Sequence, residues 1–146
     1  MNSIAEVKQL VRKVLLDSTA VQAVLGGTAA VYTDHPQAVD KNAITMPCVI
    51  LDFNGGRGGY QGGFQHSRFH LYTYSRISQD ESDTVYDAVY AALHAQRLVS
   101  TVTKTGGALA NDTAGVVRET IRPDSGWNKD VDAWFQRGSW VASTAG

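Results

Sequence analysis

The chain has 146 residues, a formal charge of −1 and 43% hydrophobic residues, which is one domain's worth of globular protein. Its 13 basic and 14 acidic residues exclude a strong general attraction to nucleic acid or an anionic membrane. One cysteine, Cys48, excludes an internal disulfide framework. No apolar run approaches the ~20 residues that span a bilayer, and no secretory pattern opens the chain, so a soluble, intracellularly made single domain over 1–146 is expected.

The first predicted element is a helix. Ser3 and Glu6 are spaced as a capping box, and Ile4, Val7, Leu10, Val11, Val14 and Leu15 make one apolar stripe. A short second helix restarts at Asp17 or Ser18 and runs through Val21, Val24 and Leu25. Gly26-Gly27 ends it, the usual place for a left-handed cap. Residues 30–33 suit a short edge strand, and 34–47, with Pro36 and Pro47, read as a loop. A strand follows over 48–53, apolar on both faces at its start. The glycine-rich run at 55–63, GGRGGYQGG, reads as the long mobile loop of a β-hairpin whose second strand spans 64–74. In that strand Phe69 and Leu71 point one way. His66, Arg68, His70, Tyr72 and Tyr74 point the other.

The next helix, over 80–95, has its own capping box in Ser78 and Glu81. Val85, Ala88, Val89, Ala92 and Leu93 form its buried stripe. Asp83 and Asp87, with Tyr86 and Tyr90 at the side, form its outer face. Three more strands are predicted at 98–104, 116–122 and 133–143. This order gives an α+β fold, a mainly antiparallel sheet with helices packed on one face and a long glycine-rich β-hairpin.

Catalytic motifs are not found in the sequence, and neither a cofactor nor a metal is called for. His66 and His70 are four apart, but on a strand that spacing separates them by ~13 Å, too far for one ion. They read as part of a solvent or interface face. Asp124, Asn128, Asp130 and Asp132 place oxygens at even spacing without the glycine and glutamate of a calcium loop, and read as a polar turn. Cys48 reads as a small buried hydrophobe. Arg57 and Tyr60 are the strong contact groups of the glycine-rich segment. Trp134 and Trp140 are six apart, hence on one face of the last strand, together with Gln136 and Gly138. A face so mixed suits either a small core cluster or a protein interface. The candidate interface residues are therefore Arg57, Tyr60, His66, Asp87, Trp134 and Trp140.

Met46-Pro47-Cys48-Val49-Ile50-Leu51, the glycine-rich hairpin, Phe69-His70-Leu71-Tyr72-Thr73-Tyr74-Ser75, the Asp83, Val85-Tyr86, Val89, Ala92-Leu93 helix and the closing Trp140-Val141 form an ordered pattern. So does the opening helix that ends in Val24-Leu25-Gly26. In this pattern the chain resembles the tail-terminator, or tail-completion, proteins of long-tailed bacteriophages. It departs from them at 99–115, which is longer and more polar. The resemblance implies a structural virion protein at the neck, assembled in the host cytoplasm. It implies a ring, a hexamer by the family's habit, that caps the tail tube, ends its polymerisation and meets the head-completion or connector proteins. The partners are then other copies of the chain, the tail tube protein and a head-completion protein, with no membrane. DNA passes through without specific binding, and near-neutral charge suits that passage. Another neck component, a head-closure or adaptor protein, is the alternative within this class. A small α+β enzyme or ligand-binding domain using 55–63 as a lid is the alternative outside it.

Overall fold

The computed structural model describes residues 4–33, 44–53, 57–61, 64–94, 96–98, 103–104, 107–108 and 115–145. The first helix, α1 (Ile4–Asp17), buries Val7, Leu10, Val11 and Leu15. Ser3, the expected cap, lies outside the described residues. Ser18 starts α2 (Thr19–Val24), its hydroxyl accepting from the Val21 N–H at 3.3 Å. The two glycines end it as the sequence predicts. Gly26 and Gly27 have φ of 70° and 75°, and their N–H groups donate to Ala23 O at 3.2 Å and Gln22 O at 2.8 Å. That pairing is a Schellman cap, and it places both glycines where a side chain would be strained.

Strand β1 (Val31–Tyr32) lies at one sheet edge, parallel to β2 (Cys48–Asp52). The 34–43 part of the expected loop lies outside the described residues. β2 runs antiparallel to β4 (Phe64–Ser75), with Leu51 opposite Leu71. The glycine-rich segment departs from expectation. Residues Arg57–Gln61 are not a loop but a strand, β3, paired with the first part of β4 through Arg57–Ser67, Gly58–His66 and Gln61–Phe64. A register shift between Gly58 and Tyr60 interrupts the ladder. Glycine's low strand propensity hides this strand in the sequence. The unsatisfied edge of β4 beyond β2 is what recruits it.

Helix α3 (Gln79–Leu93) follows, with the Ser78 hydroxyl accepting from Glu81 N–H at 3.1 Å. The reciprocal half of the capping box is replaced. Ser75 Oγ accepts from Ser78 N–H at 3.3 Å and donates to Glu81 Oε1 at 2.8 Å, which ties the helix start to the end of β4. The strand expected at 98–104 is split between β5 (Gln96–Leu98) and β6 (Thr103–Lys104). Among the described residues β6 pairs with β7 (Gly107–Ala108) alone, outside the main sheet. The last two strands, β8 (Gly115–Asn128) and β9 (Ala133–Ala145), are longer than predicted. β8 runs through Pro123, which ends the predicted strand. The register shift between Ile121 and Asp124 accommodates it, because the ladder is already interrupted where Pro lacks its N–H. Asp124 and Asn128 therefore sit on a strand, and only Asp130 and Asp132 on the turn.

The main sheet has the order β1-β2-β4-β9-β8-β5, with β3 beside β4. The three helices cover one face. Their core joins Val7, Leu10, Val85, Val89 and Leu93 to Val49, Leu51, Phe69, Leu71, Val117 and Trp140 of the sheet. The fold is α+β with a mostly antiparallel sheet, as the order of elements predicts. A second cluster lies against the opposite face at one end. There Ile44, Cys48, Ile50, Tyr74, Val131 and Ala133 pack together. Burial pushes the Cys48 thiol up to about 12, and the Tyr74 phenol also rises from its ordinary value. The buried, protonated Cys48 fits the core role read for it.

Candidate functional site

Strand alternation decides what the rest of the uncovered face presents. β4 and β9 pair residue by residue, with His66 opposite Ser143, Arg68 opposite Val141, His70 opposite Ser139 and Tyr72 opposite Arg137. All eight side chains therefore share the face away from the helices. β8 continues the rows with Arg118 opposite Val141 and Asp124 opposite Arg137. The result is a cleft of about 340 Å³ lined by His66, Arg68, Arg118, Thr120 and Val141. Val141 forms its floor at 7% exposure, with exposed Arg68 and Arg118 on either side.

The two histidines are held in place. His66 Nδ1 is 2.8 Å from Ser143 Oγ, and His70 Nδ1 is 3.2 Å from Ser139 Oγ. They are separate rungs of the ladder, not two ligands of one ion. Farther along, Arg137 donates two hydrogen bonds to Asp124, at 3.2 and 3.1 Å, in the planar geometry that suits a guanidinium and a carboxylate. Among the described residues, no group of three His, Cys, Asp or Glu side chains is arranged to hold a metal ion, and no helix is long and apolar enough to cross a membrane.

On the helix side, α3 carries Asp80, Glu81, Asp83 and Asp87 and no basic residue. Asp80 and Asp87 are exposed, as is Thr84 between them. Asp83 is half-buried and accepts from Gln79 Nε2 at 2.9 Å. Val85, Val89 and Leu93 are buried, in agreement with the predicted stripe.

Of the predicted interface residues, His66 lies in the cleft and Asp87 lies exposed on the opposite side of the molecule. Arg57 and Tyr60 are on β3, and their side chains lie outside the described residues. Trp134 and Trp140 do share a face, but that face lies under the helices. Trp140 is 1% exposed and belongs to the core, so its expected place at an interface is corrected. Trp134 is half-buried at the end of the strand, edge-on to Trp127 at 5.0 Å, and Trp127 is 48% exposed.

Tyr86 is the second correction, since it is 2% exposed and not on the outer side of α3. Its hydroxyl donates to Glu119 Oε2 and accepts from Trp140 Nε1 at 3.0 Å. Burial, and then the Glu119 hydrogen bond, push its phenol far up. Glu119 N–H donates to His94 Nδ1 at 3.1 Å, so one polar chain joins α3, β8 and β9. Gly138 makes room for it. A Cβ there would lie 1.9 Å from the Tyr86 hydroxyl oxygen. Helical spacing cannot distinguish a tyrosine beside the stripe from one within it. Only the facing Gly138 and Glu119 show which it is.

Sequence reasoning placed Arg68 on the outward face but missed Arg118. Its signal is the alternation Val117, Arg118 in β8, where Val117 is buried and Arg118 exposed. The arrangement as a whole defines an α+β domain with two dissimilar sides, an acidic helix on one and an arginine-walled cleft on the other. Such a domain offers surfaces for contact.

The comparisons agree with that class. Residues 9–128 match the family model described as tail completion protein gp17, and the chain belongs to this family of phage tail structural proteins. A chain in the solved structure of the virion of a native gene transfer agent particle has a similar fold, with a TM-score of 0.66 over 95% of this chain and 94% of that one. The two sequences are 16% identical, so this likeness carries the fold alone. No curated protein matches by sequence.

Proposed function

We propose that the protein is a tail terminator, a structural component of the virion neck without enzymatic activity. Copies close into a ring of six on the end of the tail tube, stop its growth, and present their other side to a head-completion or connector protein. DNA passes through the ring without specific contacts. The observation that carries this reading is membership of the tail completion family over residues 9–128. The two dissimilar sides support it. A ring is built from heterologous contacts, in which one patch meets a different patch on the next copy.

The test is to mix the purified protein with assembled tail tubes and with DNA-filled heads, and to view both by negative-stain microscopy. A ring of density on tube ends, with tube length held fixed, is the expected result. Binding to filled heads alone points instead to a head-closure or adaptor role. Binding to neither removes the proposal.

A further inference from the structure

We infer that the arginine-walled cleft is one half of the contact between successive copies, and that its occupant is the acidic outer strip of α3 of a second copy. The inference rests on the ring reading and names the faces that would build it. Three observations carry it.

The first is charge complementarity within one chain. Arg68 and Arg118 stand exposed on either side of Val141, and neither has a charged partner among the described residues. Arg137, by contrast, is already paired with Asp124. On α3, Asp80 and Asp87 lie two turns apart on the exposed strip with no cation beside them in the helix. The cations of α1 are engaged elsewhere. Lys13 pairs with Asp17 at 2.8 Å, Arg12 donates to Val31 O at 2.9 Å, and Lys8 sits 5.8 Å over the Phe53 ring. Arg68 and Arg118 on one side, and Asp80 and Asp87 on the other, are thus complementary in charge on one molecule of net charge −1.

The second is their placement. The helices cover one face of the sheet and the cleft opens on the other, so the two patches cannot meet within one copy. Between copies they meet head to tail, which is the heterologous arrangement that propagates and, with the right rotation, closes.

The third is shape. A helix lying across a twisted sheet needs a shallow trough with an apolar floor. Val141 provides the floor, and Ile121, 64% exposed, lines the adjoining depression that shares Arg68 and Thr120 with the cleft. Thr84, between the two aspartates, is small enough to approach that floor. Two arginines are too few to favour a nucleic acid duplex, whose affinity grows with each phosphate neutralised.

Charge reversal tests the contact. Self-association of the wild type is measured by sedimentation at low salt, together with Arg68→Glu/Arg118→Glu, Asp80→Lys/Asp87→Lys and the chain carrying all four changes. Melting curves check that each variant folds. Each two-site variant is expected to self-associate about tenfold more weakly or worse, as close charge pairs across an interface require. The two variants mixed, and the four-site chain alone, are expected to regain association, because each again offers opposite charges. Raising the salt weakens every associating sample, since exposed pairs are screened. If the wild type associates but the four-site chain does not recover, or Asp80→Lys/Asp87→Lys associates like the wild type, this contact is wrong and the ring reading stands. If the wild type associates neither with itself nor with tail tubes, the ring reading itself fails. Tight binding of a short DNA duplex, lost in Arg68→Glu/Arg118→Glu and not regained in the four-site chain, assigns the cleft to nucleic acid and overturns the inference.

Discussion

Replacing Gly138 by alanine tests whether Tyr86 holds the helix layer to the sheet. The added methyl would lie 1.9 Å from the Tyr86 hydroxyl oxygen and 3.0 Å from both Tyr86 Cζ and Trp140 Nε1. Ordinary contact begins near 3.4 Å, so the hydroxyl must withdraw by about 1.5 Å. Tyr86 is 2% exposed, so its ring cannot withdraw without displacing the side chains packed around it. Withdrawal also takes the acceptor away from Trp140 Nε1, which it meets at 3.0 Å. A buried donor left unmet costs ~1–3 kcal/mol, and overpacking of the core costs about 1–3 kcal/mol more. Gly138→Ala is therefore expected to destabilise by ~2–6 kcal/mol. Tyr86→Phe alone leaves the Trp140 N–H unmet and should cost ~1–3 kcal/mol. In the double variant the 1.9 Å contact no longer exists, and the nearest ring atom is the Cζ at 3.0 Å. The two costs then overlap, and the double variant should be more stable than their sum by about 1 kcal/mol or more. Urea denaturation of the four proteins measures this directly. Additive effects, or a Gly138→Ala protein as stable as the wild type, would refute the packing argument.

Three further outcomes are expected. Leu93→Ala, at a position with no exposure, should lose ~2–5 kcal/mol in a thermal or urea melt, while Asp87→Lys on the exposed strip should stay within about 0.5 kcal/mol of the wild type. The Cys48 thiol is held up near 12 by burial against an ordinary value of 9.0, so its contribution to stability is complete below pH 9 and is lost as pH rises from 9 towards 12. Urea midpoints across that range should fall, and a thiol reagent at pH 8 should label Cys48 only on unfolding. Arg57→Ala with Tyr60→Ala should preserve the melting temperature and weaken capture on tail tubes in a pelleting assay, and unchanged capture would remove β3 from the contact surface.

Much of the architecture was legible in the residues because it depends on local rules. Ser18, Gly26-Gly27 and Ser78 mark helix ends, since capping is satisfied within a few residues of the chain. The stripe Val85, Val89, Leu93 and the alternation His66, Arg68, His70 each follow one element's own period. The family pattern was legible for the same reason, being an order of such elements. What the sequence alone left undecided depends on partners distant in the chain. The glycine-rich segment becomes β3 because β4 has an open edge to satisfy, which glycine's own propensity does not reveal. Trp140 and Tyr86 go inside because Gly138, Glu119 and α3 converge on them from three elements. The cleft exists because β4, β9 and β8 align Arg68, Val141 and Arg118 in one row. Periodicity says which residues share a face, but only the packing of helices onto one side of the sheet decides which face is covered and which is left open to a partner.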